Sequence, residues 1–329
     1  MARGRKKKPR IEEQLSALQA VRDDPDSEAS RAALREALES RSGPLVASAA
    51  RLVGELSLTE LVPSLSKAFC ALLEGGLDVD PGCRGKEAIA EVLAEQSAHA
   101  TEVFLQGIRC VQLEPVWGGR EDTAAGLRAW CGLGLAHMGY LDASVELARL
   151  LTDKERAARL GAATALGCTG REDAIPLLRF KVLSGDPDPE VVGECLKALL
   201  LLSPKRSLEF VTERLEDADD DVVTAAALAL GEARVAEALP SLIEAYERRV
   251  LSELRERLLL AIALLRSDAA FAHLLGLVAD GDRAAAKGAV RALAVFRHDE
   301  GLRARVEEAA SKRKDKDVRA EVAAAFGGP

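Results

Sequence analysis

The sequence predicts an all-α fold, a right-handed α-α superhelical solenoid of about eight helical pairs, on three observations. The first is composition: the 329 residues are 48% hydrophobic and 30% charged but only 3% aromatic. Ala and Leu dominate the apolar set and are strong helix formers, whereas the β-branched and aromatic residues that favour sheets are scarce. The second is a period. RAARLGAATALG (156–167), EVVGECLKALL (190–200) and DVVTAAALALG (221–231) superimpose without gaps. Taking the last Leu of each as an anchor gives Leu135, Leu166, Leu199, Leu230, Leu264, Leu293 and Phe326, spaced by 31, 33, 31, 34, 29 and 33 residues. Units of this length that repeat along a chain are the signature of stacked helical pairs. The third is a stripe of small residues. Gly134, Ala165, Ala198, Ala229, Ala263, Ala292 and Ala325 stand one before the anchors, where they let neighbouring helices approach closely.

The elements follow in chain order. Residues 1–10, MARGRKKKPR, form a basic tail with six cationic residues, expected to be a solvated, disordered terminus. No apolar h-region follows, so the segment does not read as a secretory signal and a cytoplasmic location is expected. Residues 11–329 are expected to form a single solenoid domain. Its first helical pair, roughly 11–22 and 27–40, is an amphipathic cap. Residues 43–74 fit a further repeat, the Gly-, Asp- and Pro-rich loop EGGLDVDPGC (74–83) lengthens the spacing that follows, and residues 83–96 fit another, with Asp80 thirteen before Leu93. From Leu93 to Leu135 the spacing is 42, which places an insertion at about 111–121.

Beyond the insertion the repeats run regularly. Asp recurs thirteen before the anchor, at Asp122, Asp153, Asp186, Asp217 and Asp280, where a carboxylate caps or favours a helix N-terminus. Arg recurs seven before it, at Arg128, Arg159, Arg257 and Arg319, as a ladder between repeats. Second helices such as AIPLLRFKVL (174–183) and ALPSLIEAYERR (238–249) carry Pro in the first turn, where its missing N–H costs nothing.

On RAARLGAATALGCTGREDAIPLL (156–178) and DVVTAAALALGEARVAEALPSLI (221–243) the chain resembles HEAT-repeat proteins, in the short form found in phycobilisome-lyase-type repeats. The resemblance implies a concave surface lined by inner helices and a non-catalytic scaffold or adaptor role, with another protein or peptide as partner. It also brings two alternatives: bilin lyase-like chromophore handling, and the HEAT-like DNA-binding or DNA glycosylase proteins.

The search for chemistry returns no catalytic, cofactor or metal site. His99, His137, His273 and His298 fall in different repeats and lack the His-Glu pairs that HEAT-like di-iron hydroxylases would need. No nucleophile elbow, P-loop or dinucleotide fingerprint appears. Cys70, Cys83, Cys110, Cys131, Cys168 and Cys195 lie singly, without C-x-x-C spacing, and are expected to be reduced, mostly buried apolar residues. The longest strongly apolar run, LLLAIALL (258–265), is far shorter than the roughly 20 residues of a membrane span. Removing the six basic residues of the tail from the net charge of -8 leaves -14 on the body. A body that acidic is a poor polyanion binder, so any weak contact with nucleic acid or an acidic surface is assigned to residues 1–10.

The candidate binding residues therefore gather at the insertion. QLEPVWGGR (112–120) is too rich in Gly and Pro for a regular helix and holds Trp117, flanked by Glu114 and Arg120, with Arg109 and Gln112 at the end of the preceding helix. Two readings of Trp117 stand: an anchor for its own loop, or a contact for a protein partner. Trp130 occupies a variable helix edge, either packed beneath the insertion with Pro115 or Trp117 or partly exposed to a ligand. Charges of both signs beside an aromatic suit a protein or peptide better than a phosphate backbone.

Overall fold

A computed structural model describes residues 11–25, 27–250 and 252–327; the basic segment 1–10 lies outside them. The chain clusters into two compact units, one ending at Ala174 and the other beginning at Ile175. The first contains α1 (Ile11–Val21), α2 (Glu28–Leu38), α3 (Gly43–Glu55), α4 (Val62–Gly75), α5 (Arg84–Glu95), α6 (Thr101–Gly107), β1 (Leu113–Val116), β2 (Gly119–Asp122), α7 (Ala125–His137), α8 (Ala143–Leu150) and α9 (Arg156–Cys168). From α10 (Ala174–Ser184) the second continues with α11 (Pro189–Leu202), α12 (Pro204–Glu213), α13 (Asp220–Glu232), α14 (Leu239–Arg248) and α15 (Ser252–Leu264). It closes with α16 (Asp268–Asp280), α17 (Arg283–Leu293), α18 (Glu300–Ser311) and α19 (Lys316–Phe326). Among the described residues the nineteen α-helices are thus eight pairs in sequence, α3 to α18, flanked by the pair α1–α2 and by α19.

Within each unit the odd-numbered helices pack in succession, α3 on α5 on α7 on α9 in the first and α11 through α19 in the second. Small residues permit the close approach: a Cβ on Gly161 of α9, five before its anchor, would collide with Ala129 of α7. On the stripe itself, a Cβ on Gly134 would collide with the ring of Phe104 in α6. The anchors Leu93, Leu135, Leu166, Leu199, Leu230 and Leu293 are fully buried, as is Val53 of α3.

One anchor sits elsewhere than expected. Leu264 is only half-buried, while Ile262 and Leu258 are fully enclosed, so Ile262 is the equivalent residue and the flanking spacings become 32 and 31. The arginine seven before it is then Arg255, half-buried with its guanidinium over the Tyr246 ring at 4.2 Å. Arg257 is exposed beside Glu253 and leaves the ladder.

The recurrent Asp also has a different role from a helix cap. Asp122, Asp153, Asp186 and Asp217 each accept, through Oδ1, the backbone N–H two residues on, at 3.0, 2.9, 2.9 and 3.1 Å. They close the turn ahead of the helix. The caps themselves form a second series eleven before the anchors: Asp188, Asp219 and Asp282, with Asp315 ahead of α19.

Candidate functional site

The insertion is a β-hairpin. Leu113 pairs with Asp122, Glu114 with Glu121, Pro115 with Arg120 and Val116 with Gly119, leaving Trp117 and Gly118 as a two-residue turn. Gly118 has φ 97, the left-handed conformation that the second position of a type II turn requires and that glycine adopts without a Cβ clash. Pro115 fits because a two-stranded ribbon has free edges on which a missing N–H is not exposed as a broken ladder. Trp117, at the tip, is fully exposed, with relative accessibility of 105%. Val116 next to it is exposed, as are Leu113 at the base of the ribbon and Val111 ahead of it. Arg120, also exposed, has no hydrogen-bond or ion-pair partner among the described residues.

A two-stranded ribbon is marginal by itself in water, and this one is held at its base by a buried polar cluster. Asp80 and Lys86 are 0% and 1% exposed and pair at 2.9 Å. The Asp80 carboxylate also accepts the backbone N–H groups of Gly85 at 2.7 Å and Lys86 at 3.1 Å. Lys86 Nζ then donates to Gln112 Oε1 at 3.0 Å, and Gln112 Nε2 donates to the Asp80 carbonyl at 2.8 Å and to Glu114 Oε1 at 2.7 Å. Glu114 further accepts the Gly82 N–H at 2.6 Å and the Thr123 hydroxyl at 2.8 Å. Every buried charge in the cluster has a counter-charge or a set of donors, which is the condition for such groups to be tolerated.

The cluster is the repeat ladder with the hairpin spliced into it. In the following repeat Arg128, buried, grips Asp153 through Nε and Nη2 at 2.8 and 2.9 Å. Its Nη1 donates to Asp122 and to the Cys110 carbonyl, both at 2.8 Å. Burial pushes the Asp122 carboxyl up, but the N–H donors of Gln112 and Ala124 and the Arg128 guanidinium hold it below the usual range. Asp80 and Lys86 stand thirteen and seven before Leu93, as Asp122 and Arg128 stand before Leu135. Where Arg128 reaches the Asp of the next repeat, Lys86 reaches Gln112.

The six candidate residues therefore separate. Trp117 and Arg120 are at the free tip. Gln112 is buried and Glu114 half-buried, both turned into the brace. Arg109 donates to Glu146 at 2.6 Å, and Trp130 lies half-buried on α7. Full exposure of Trp117 removes its reading as a loop anchor. Pro115 is exposed as well, so no mini-core joins either residue to Trp130. Lys86 and Thr123 escaped the sequence reading, although Lys86 stood at the ladder position, seven before an anchor.

Hydrogen bonds from Gln112, Thr123 and the Gly82 N–H hold the Glu114 carboxyl below its ordinary value. A depressed carboxyl supports the folded hairpin fully above its unfolded pKa, about 4.3, and withdraws that support as pH falls through the lower folded value. Amide-exchange protection across residues 113–122 is expected to drop as pH is lowered below about 4. In Glu114→Gln this step disappears; an unchanged step in the variant would assign the loss to another group.

Residues 179–263 match the family model of HEAT repeats. No curated protein matches the chain significantly. Among solved structures, the CpcE–CpcF complex of phycocyanin lyase from Nostoc sp. PCC7120 aligns at 18% identity over 73% of this chain and 93% of that one, with TM-score 0.38. Human deoxyhypusine hydroxylase in complex with glycerol aligns at 17% identity over 89% and 92%, TM-score 0.29. A Kap121p mutant aligns at 14% identity over 97% of this chain and 40% of that one, TM-score 0.44.

Proposed function

We propose that this chain of HEAT repeats is a non-catalytic scaffold or adaptor, acting in the cytoplasm, that holds another protein or peptide at the 111–121 insertion. The observation that carries the reading is the fully exposed Trp117 at the tip of a hairpin whose base is fixed by buried charges. Exposing an indole to water has no folding benefit, whereas a partner that covers it gains a large apolar area with few rotamers to freeze. The brace lowers the ordering cost further, since the ribbon is held before the partner arrives. Arg120 supplies directional donors next to the indole. Gln112 and Glu114 position the hairpin, and Arg109 and Trp130 flank it.

The test is capture of partners by the full chain and by Trp117→Ala/Arg120→Ala. The double variant is expected to lose at least about 2 kcal/mol of binding, roughly thirtyfold, if the pair is the centre of the contact. Its urea midpoint should correspond to a change within about 0.5 kcal/mol, because both side chains are exposed. Unchanged partners in a stable variant would remove the tip as the site. Bilin uptake on mixing, or tight duplex DNA binding by a chain lacking residues 1–10, would replace the scaffold reading altogether. Salt-dependent DNA binding that vanishes with residues 1–10 would assign that contact to the basic segment.

A further inference from the structure

The hairpin is the whole of the sheet among the described residues, so each strand has one edge without a neighbour. Its register decides what each edge offers. In an antiparallel pair, residues that exchange hydrogen bonds alternate with residues whose backbone groups point away from the partner strand. The Thr123 N–H donates to the Gln112 carbonyl at 3.0 Å, which fixes the alternation. Glu114 with Glu121 and Val116 with Gly119 bond inwards, while Leu113, Pro115, Arg120 and Asp122 turn their backbone groups outwards. On β1 the outer edge is blunted, because Pro115 has no N–H to offer. On β2 both outward residues keep N–H and carbonyl, and those of Arg120 have no partner among the described residues. The Arg120 and Glu121 side chains are exposed and likewise without an ion-pair partner there.

The charges along β2 decide what can cover this edge. Two copies of the chain joined β2 to β2 must set outward residue against outward residue. The two-fold axis then falls on Arg120, Glu121 or Asp122 and places that residue opposite itself, a like-charge pair that destabilises a sheet. A segment of different sequence meets no such conflict. We propose that the outer edge of β2 is a strand-addition site for an extended segment of another protein. The segment runs antiparallel to Gly119–Asp122, with an acidic residue opposite Arg120 and a basic residue opposite Glu121. Strand addition rests on the reading of the hairpin as the partner site and gives its mode of contact. In this register one partner residue exchanges two main-chain bonds with Arg120, slightly more stable per residue than the slanted bonds of a parallel strand. Main-chain bonds give such additions their affinity, and the facing side chains select the partner. The buried Asp80–Lys86 pair at the base, 2.9 Å apart, holds the edge formed before the segment arrives, which lowers the ordering cost.

The probe is a short capped synthetic peptide with Lys-Glu at its centre and alternating Val and Thr on either side. It is titrated to millimolar concentration into the full chain, followed by NMR of the backbone amides. The expected result is exchange protection gained by the Arg120 N–H and not by that of Leu113 on the opposite edge. Methylating the peptide nitrogen of the Glu, which faces Arg120, should abolish binding. Methylating that of the Lys, which points away from β2, should leave affinity within about twofold. Exchanging the central pair to Glu-Lys should weaken binding at least about fivefold, since each charge then meets its like. Absence of binding, equal effects of the two methyl groups, or protection confined to Leu113 would overturn strand addition, and none of these needs a variant. In partner capture, Arg120→Pro should lose more than Arg120→Ala: both lack the guanidinium, but only proline lacks the outward N–H. The inward Glu121 N–H, read in the same spectra, reports that the hairpin persists in the proline variant. Partners lost in Trp117→Ala/Arg120→Ala but held equally by Arg120→Pro and Arg120→Ala would overturn strand addition while keeping the tip as the site.

Discussion

Replacing Asp80 with alanine is expected to cost about 3–5 kcal/mol, read as a shift of the urea midpoint of the transition that includes α5 and α7. The reason is not the lost attraction itself. Lys86 is almost wholly enclosed, and without Asp80 its ammonium keeps only Gln112 as partner, an uncompensated charge away from water. The backbone N–H groups of Gly85 and Lys86 lose their acceptor at the same time. Asp80→Ala combined with Lys86→Met should recover much of the loss, because the charge that had to be satisfied is gone and the aliphatic stem still fills the space. A shift below about 1 kcal/mol in the single variant would show that water or a neighbour replaces the carboxylate, and the brace would then not rest on this pair.

Arg128→Ala is expected to cost a comparable amount, about 3–5 kcal/mol. It strands the Asp153 and Asp122 carboxylates and the Cys110 carbonyl at once. Lysine should not rescue it, since one ammonium cannot reproduce the two parallel bonds to Asp153 and the third direction to Asp122. Arg319, at the same position of α19, is exposed, and Arg319→Ala should change stability by less than about 0.5 kcal/mol. Equal losses at both positions, measured by denaturant titration, would mean that the cost belongs to the arginine stem and not to the bridging between repeats.

These two positions show how far the fold was legible. Period, small-residue stripe and ladder arginines are all set by helix-on-helix contact, so they recur wherever that contact recurs and can be counted. The count slipped in SELRERLLLAIALL (252–265), where a continuous apolar run carries no phase, and only burial separates Ile262 from Leu264. The Asp series was visible, but its role was not, because an Asx turn and an N-cap place the same residue type two positions apart. The site was half legible. An insertion without helical character marked 111–121, yet Pro115 and paired glycines hid two strands. Nor does spacing along the chain reveal that Gln112 reaches Lys86, 26 residues away.

The splice of the hairpin into the ladder makes the insertion entrenched. Had it been a surface loop with no buried partners, deletion would be a nearly neutral step back to a regular repeat. Here Lys86 depends on a side chain of the inserted segment, so shortening the loop alone would leave an enclosed cation with one partner fewer. A lineage, or a designer, could discard the hairpin only after changing position 86, by a residue that reaches Asp122 or one that carries no charge. The two changes are epistatic: each is costly in the presence of the original partner, and the order in which they occur decides whether the path is open.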